Sequence, residues 1–267
     1  MIAPVPLINL STIQLLFRLT VLIQNIFDNQ NMEDEITKHT KKIYDTAKSS
    51  KHSFGEKVKE IIIEICIIVF AVTLSIWFHG WSDHRHEQKE AKEFLKGLKD
   101  DLIKDIKLLE KNKKIAVNSD SNFNFLASLK NNQRANTYKD SEINNHLSIA
   151  IPVTLPSVGR YEGFKSSGKI GTIENDSLKG NILIFYQQTL PELAYSESFI
   201  NSWELKILDQ VLDKTDKTPI RDFLTTTKMQ SLYGIGAHNL EISIDEYDGA
   251  INQAKKIISE IDKETNK

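Results

Sequence analysis

Cysteine is almost missing from this chain. The one thiol among 267 residues, Cys66, lies inside an apolar run. A lone cysteine closes no disulfide within the chain and builds no cysteine-based zinc site, so the redox compartment cannot be read from it. Proline and glycine are also sparse, at six and eleven. So few breakers leave room for long helices and favour an all-α fold. An excess of one charge sign is lacking as well, since 26% of residues are charged but the net charge is only -2. Nucleic-acid binding calls for a basic stripe, so no nucleic-acid partner is expected. There is no Gly-x-Ser-x-Gly elbow, and His146 and His238 stand apart without an acid at a useful spacing.

A further absence decides the most suggestive motif. In Gly163–Ile170, GFKSSGKI, the glycines Gly163 and Gly168 and the lysine Lys169 fall in phosphate-loop register. Ile170 stands where a Ser or Thr hydroxyl would hold magnesium. The loop also lacks a preceding strand and a helix opening at its lysine, which that chemistry needs. Gly168 reads instead as the left-handed residue just past a helix C-terminus, with Lys169 near the negative end of the helix dipole. No nucleotide and no other cofactor is expected.

What the chain does have is one long apolar run, IIIEICIIVFAVTLSIWF from Ile61 to Phe78. As a helix it spans about 27 Å, close to the ~30 Å hydrocarbon core of a bilayer. Glu64 is its one charge, a turn inside the start, where a carboxylate reaches the headgroups. Trp77, Phe78 and Trp81 gather at the far end, as interfacial aromatics do. The run is apolar on every face, unlike a half-buried helix of a soluble core. Residues 60–81 are therefore expected to be a single transmembrane helix, preceded by a polar segment over 32–59. Six lysines lie in the twenty residues before Ile61 (Lys41, Lys42, Lys48, Lys51, Lys57 and Lys59), against Arg85, Lys89, Lys92 and Lys96 after Phe78. That bias puts the N-terminus in the cytoplasm and the C-terminal two-thirds outside the cell membrane.

Residues 1–31 allow two readings. Ser11, Gln14, Arg18 and Asn25 form a polar stripe on an otherwise Leu- and Ile-rich segment, as in an amphipathic interfacial helix. Alternatively, translation starts at Met32 and the segment is a mis-assigned extension. No Lys or Arg precedes its apolar part, so it is not an ordinary signal peptide.

Residues 82–267 read as a helical bundle. Leu95, Leu98, Leu102, Ile106 and Leu109 are spaced as a helix stripe of coiled-coil type. The stripe is short and reads as an intramolecular seam rather than a dimer seam. The first helix is expected to run out of the membrane to about Lys130, with NSDSN at 118–122 a point of interruption. Ser141 is expected to cap a helix to about Ile149, and Ser157 one ending near Ser167. Asn175 should cap a long helix kinked at Pro191, and Thr218-Pro219 should open another. Gly234 and Gly236 mark a loop, after which Ser243 and Glu246 form a capping box for the last helix. KIGTI at 169–173 is the best strand candidate. The aromatics Tyr161, Phe164, Phe185, Tyr186, Phe199 and Trp203 read as core rather than a ligand cage.

One cluster has metal-ligand character. His79, Asp83, His86 and Glu90 are spaced 4, 3 and 4 residues apart and share one helical face. One helix rarely supplies a whole site, so no metal is expected. The bland reading is a solvated face near the membrane, and the sharper one is metal or pH sensing.

Two stretches resemble a known family. EICIIVFAVTLSIWFHGWSDHRHE followed by LKGLKDDLIKDI is similar to the start of a family of bacterial single-pass membrane proteins of unknown function. Glu64, Trp81, Leu95, Leu98 and Leu102 carry that likeness. YEGFKSSGKIGTIENDSL resembles the family's second signature through Tyr161, Ser167, Gly168, Ile173 and Asn175. Ile63 and Ala71 stand in place of glycines, and His79-Gly80 in place of an asparagine pair. The resemblance runs from about Ile61 onward. It implies a membrane helix plus a helical domain, and no activity.

The leading expectation is a non-enzymatic, membrane-anchored helical domain that contacts the bilayer and a partner protein, or a second copy of itself, or senses a ligand. Two alternatives stay open. One is a membrane-bound enzyme whose site assembles only in three dimensions, and the other is a homo-oligomeric pore lined by Glu64. On the leading reading the full chain should resist extraction from membranes by carbonate and high salt. A chain beginning at Glu87 should be soluble and strongly helical by circular dichroism. Recovery of the full chain in the soluble fraction would contradict the anchor, and a mostly β spectrum from the shortened chain would contradict the helical fold.

Overall fold

A computed structural model describes residues 29–48, 54–129, 135–147, 153–214 and 218–266. All elements among the described residues are helical and no strand occurs. The expectations for residues 1–28 lie outside the described residues. The chain divides into two compact units between His86 and Glu87.

The first unit holds α1, Asn29–Lys48, and the opening turns of α2, Phe54–Ser128. No proline occurs between Pro6 and Pro152, so nothing forces α2 to stop. The serines and asparagines of 118–122 do not interrupt it. Its most apolar 18-residue window has a mean hydropathy of 2.7, and only 6% of that window is buried. This is one helix long and apolar enough to cross a membrane.

The second unit is built on three long helices. They are the rest of α2, the α5–α6 rod and α8. Before the rod come α3, Asp140–Asn145, α4, Gly159–Ser166, and a 3₁₀ turn, Lys169–Thr172. The rod itself is α5, Asp176–Ile184, a π turn, Phe185–Thr189, and α6, Leu190–Leu212. A short α7, Ile220–Leu224, leads into α8, Thr227–Thr265. Directions follow from the cross-links. Lys99 pairs with Asp262 and Lys113 with Asp248, each at 2.5 Å, so α8 runs antiparallel to α2. Trp203 Nε1 donates to Leu232 O at 2.8 Å, and Thr189 Oγ1 to Gln253 at 2.6 Å, so the rod is antiparallel to α8 as well. Buried Gln230 closes one end, donating to Leu126 O and Leu224 O. Arg221 ties α7 to Tyr138 O and Asp140 at 2.7 Å.

The seam of α2 is buried, with Leu95, Leu98, Leu102 and Leu109 at 3% exposure or less and Ile106 partly covered. It is part of the bundle's own core.

Several helix boundaries differ from expectation, each for a local reason. Gly234, Gly236 and Ser243 lie inside α8, so there is neither loop nor capping box there. Gly236 serves close packing. A Cβ on it would sit 2.5 Å from a Phe123 ring atom. Ser243 is fully buried, and its hydroxyl donates to Glu197 at 3.0 Å instead of capping a helix. KIGT is a 3₁₀ turn, too short and too polar to pair as a strand. The N-caps before α3, α4 and α7 are Lys139, Val158 and Pro219 rather than Ser141, Ser157 and Thr218. At Pro191 the expected kink takes the form of the π turn just before it. There Leu190 N–H reaches back to Phe185 O, a register that accommodates the proline's missing donor.

Gly168 has φ 76°, in the left-handed region, two residues past the end of α4. Gly168→Val should destabilise the domain by about 1–2 kcal/mol, because a Cβ clashes at that φ. Lys169 forms a part-exposed pair with Glu90 at 2.8 Å. Lys169→Ala should therefore cost no more than about 1 kcal/mol in denaturant unfolding. Magnesium-dependent ATP binding abolished by Lys169→Ala would reinstate the phosphate-loop reading.

Candidate functional site

The residues around the second signature are structural in their contacts. Tyr161 is 1% exposed, stacks on Tyr186 at 4.5 Å, and accepts from Gln187 Nε2 at 2.6 Å. Asn175 caps α5 by accepting from Leu178 N at 3.1 Å, and its amide donates to Glu264 at 3.0 Å. Phe185 and Tyr186 are core residues as expected, and Phe164 stacks on Phe94. Phe199 differs. It is 39% exposed, beside a partly buried Trp203.

The acids and histidines just after the apolar run do not gather. His79 and Asp83 make an exposed pair at 3.5 Å, His86 is exposed, and Glu90 faces Lys169. Among the described residues, no three or more His, Cys, Asp or Glu side chains come together in a way that could hold a metal ion. His146 does have a partner, Asn122 at 2.8 Å, and His238 sits 3.9 Å from Glu241. Trp81 is half exposed beneath the Arg85 guanidinium.

Glu64 is more than a boundary marker. Its side chain is buried against α1, with Oε2 at 2.5 Å from His39 Nδ1 and Oε1 accepting from Lys42. Two basic side chains thus compensate the one carboxylate of the apolar run, which lowers the cost of holding it there. This engagement within the chain leaves little to recommend a pore lining.

The one chemically distinctive place in the second unit was not anticipated. On α2 the seam continues past Leu109 at spacings of 3 and 4, through Asn112, Ala116, Ser119, Phe123 and Leu126, all 9% exposed or less. On α6 a second seam reads Leu193, Glu197, Ile200, Glu204, Ile207 and Val211, again at 4, 3, 4, 3 and 4. Polar residues thus occupy core positions every seven residues on both helices. Across from them α8 presents Leu240, Ser243 and Tyr247. Heptad spacing keeps all of these on one face of each helix.

The result is a cavity of about 210 Å³ lined by Asn112, Ser119, Glu197, Asn201, Glu204 and the small Ala116, among others. At ~30 Å³ of liquid volume per water it has room for about seven waters or a small molecule. A second, more apolar cavity of about 100 Å³ adjoins Phe123, Leu126, Ile207, Val211 and Tyr233. Glu204 lines both.

Glu204 is 8% exposed, and its Oε2 has no hydrogen-bond partner among the described residues. Burial first, and Glu197 next, push its carboxyl up to about 7. Glu197 is held by Ser243, and with burial it keeps the nearby Tyr247 phenol far above its ordinary value. Asp105, one heptad before Asn112, is another acid with a buried, unpartnered oxygen among the described residues, as is Glu246 of α8. Burial, then Asp101, push Asp105 up to about 6, while Lys104 opposes.

These shifts fix the direction of a pH effect. Glu204 goes from an ordinary 4.5 to about 7, so the folded state holds its proton more tightly than the unfolded chain does. Its stabilising share is complete below pH 4.5 and disappears as the pH rises through 7. The full chain in detergent should therefore lose stability between pH 5 and 8. Glu204→Gln should remove up to about 3 kcal/mol of that loss, measured by thermal unfolding across the range. An unchanged slope in the variant would show that Glu204 titrates normally.

No curated protein and no solved structure matches the chain. A family model does match, that of DUF6090, described as a family of unknown function, over residues 64–217. The match opens at the buried Glu64 and includes Tyr161, Gly168, Asn175 and both cavity acids, while α8 lies beyond it. It spans more than half of the 267 residues, and the chain belongs to the DUF6090 family.

Proposed function

We propose that the protein is a membrane-anchored, non-enzymatic receptor domain. In this reading the apolar run at Ile61–Phe78 crosses the cell membrane once, and the cavity at Glu204 takes a small ligand. The N-terminus faces the cytoplasm and the bundle lies outside. The observation that carries the ligand reading is the unpartnered Oε2 of Glu204, a buried polar atom on the wall of a cavity large enough for a small molecule. A buried acceptor left unmatched costs about 1–3 kcal/mol, more when charged, and a ligand donor recovers that cost.

The absence of chemistry is part of the proposal. No histidine, cysteine or lysine lines the larger cavity, so its serines have no base beside them beyond the two carboxylates. The apolar run and a wall of the cavity, at Asn112, Ile115, Ala116 and Ser119, belong to the same helix, α2. Occupancy therefore acts on an element that also carries the anchor.

Native mass spectrometry tests the reading. The full chain released from its own membranes in detergent should carry an added small mass. Ala194→Phe, which fills the larger cavity from its wall, should remove that mass with helicity unchanged. A bare chain mass under all growth conditions, or an added mass indifferent to Ala194→Phe, would overturn the ligand reading.

A further inference from the structure

The larger cavity is charged in one sense only. Among the described residues, Glu197 and Glu204 are the ionisable residues that line it, with no Lys, Arg or His. Glu197 already accepts from Ser243, whereas Glu204 Oε2 accepts from none of the described residues. A buried carboxylate without a counter-charge must either keep its proton or find a cation. Burial, and Glu197 after it, push Glu204 up to about 7, so the fold disfavours a bare negative charge there.

The shape of the site selects among cations. Calcium needs six to eight oxygen ligands and magnesium a near-octahedral set. No three acids, histidines or cysteines are gathered for a metal among the described residues. An ammonium group asks for less, because it carries three donors that can be shared between a carboxylate and neutral oxygens. Asn201 of α6 and Ser119 of α2 line the same cavity as Glu204 and offer neutral oxygens to it. Glu204 also lines the neighbouring, mostly apolar cavity of about 100 Å³, where Phe123, Leu126, Ile207 and Val211 would cover a short hydrocarbon tail, with His146 and Tyr233 as its other polar lining.

We propose that this pair of cavities binds a small alkylammonium, its head at Glu204 and Glu197 and its alkyl tail against Phe123, Ile207 and Val211. The proposal rests on the reading of the cavity as a ligand site and names the chemistry that the site takes. Glu204 supplies the direct ionic contact, and Glu197 raises the local negative potential.

Three probes of one chain length separate the head groups: butylamine, 1-butanol and butyrate, titrated calorimetrically into the full chain in detergent at pH 8. Butylamine should bind, and butyrate and 1-butanol should bind at least tenfold more weakly. Glu204→Gln, close to isosteric, should weaken butylamine at least tenfold, and Glu197→Gln by less. Val211→Phe, which fills the tail cavity, should weaken butylamine about tenfold and leave methylamine unchanged; it serves equally if Glu204→Gln does not fold. Butylamine binding that ignores both Glu204→Gln and Val211→Phe would overturn the proposal. So would equal binding of 1-butanol or butyrate, or no binding by any probe. In those cases the native mass measurement with Ala194→Phe still decides separately whether the cavity is a ligand site for something else.

Discussion

The bundle depends on a periodicity, the alternation of three- and four-residue steps along α2 from Leu95 to Leu126. Such spacing puts every marked side chain on one face of the helix. It commits the helix to a packed neighbour whatever the chemistry of individual positions. Most positions are apolar and drive burial at about 25 cal/mol per Å² of apolar surface. Asp105, Asn112 and Ser119 are not, yet they are as buried as the leucines around them. The apolar majority sets the geometry and carries the polar minority into the core with it. Rim pairs such as Lys99–Asp262 and Lys113–Asp248 then fix the antiparallel register of α8, although each is worth little by itself.

A cavity in such a bundle follows from what faces what. Ala116 on α2 and Ala194 on α6 are too short to fill the space between helices, and the polar side chains near them cannot interdigitate as leucines do. Between the larger and the smaller cavity the helices approach closely, as Gly236 admits the Phe123 ring and Tyr233 meets the same ring edge-on at 5.6 Å. An apolar bundle of equal volume would be more stable, since buried acids without partners cost more than they contribute. Polar residues in a core that pays this penalty call for a role other than packing.

The architecture was largely legible in the sequence because it rests on long-range regularities. The apolar run, the Leu95–Leu109 seam and the Asn175 cap were all readable from spacing and residue type. Helix boundaries were less so. Gly236 looks like a loop residue until Phe123 is seen against it, and Ser243 with Glu246 imitates a helix start in the middle of α8. Local signals lost there to tertiary packing, which no short window contains. The cavity was missed because only apolar residues were counted along the seams. Ending the α2 stripe at Leu109 discarded Asn112 and Ser119. Counting them in register, and noticing Glu197 and Glu204 seven residues apart on the apolar face of α6, would have marked two helices with polar residues aimed inward.

Two buried glutamates in one chain show how differently the same group can be used. Glu64 in the first unit has His39 and Lys42 on its oxygens, so its charge is matched by the protein itself. Such a pair tolerates an apolar setting, and it closes α1 onto the opening of α2 without needing anything from outside. Glu204 in the second unit has an acid one heptad away, and among the described residues the larger cavity it lines holds no Lys, Arg or His, while His146 lines the smaller one. Matching that group is left to whatever enters the cavity. A charge satisfied within the fold is a structural fastening, and a charge left unsatisfied beside open volume is a binding contact awaiting its donor. By that criterion Glu64 fastens α1 to α2, and Glu204 is the acid on which the proposed ligand site rests.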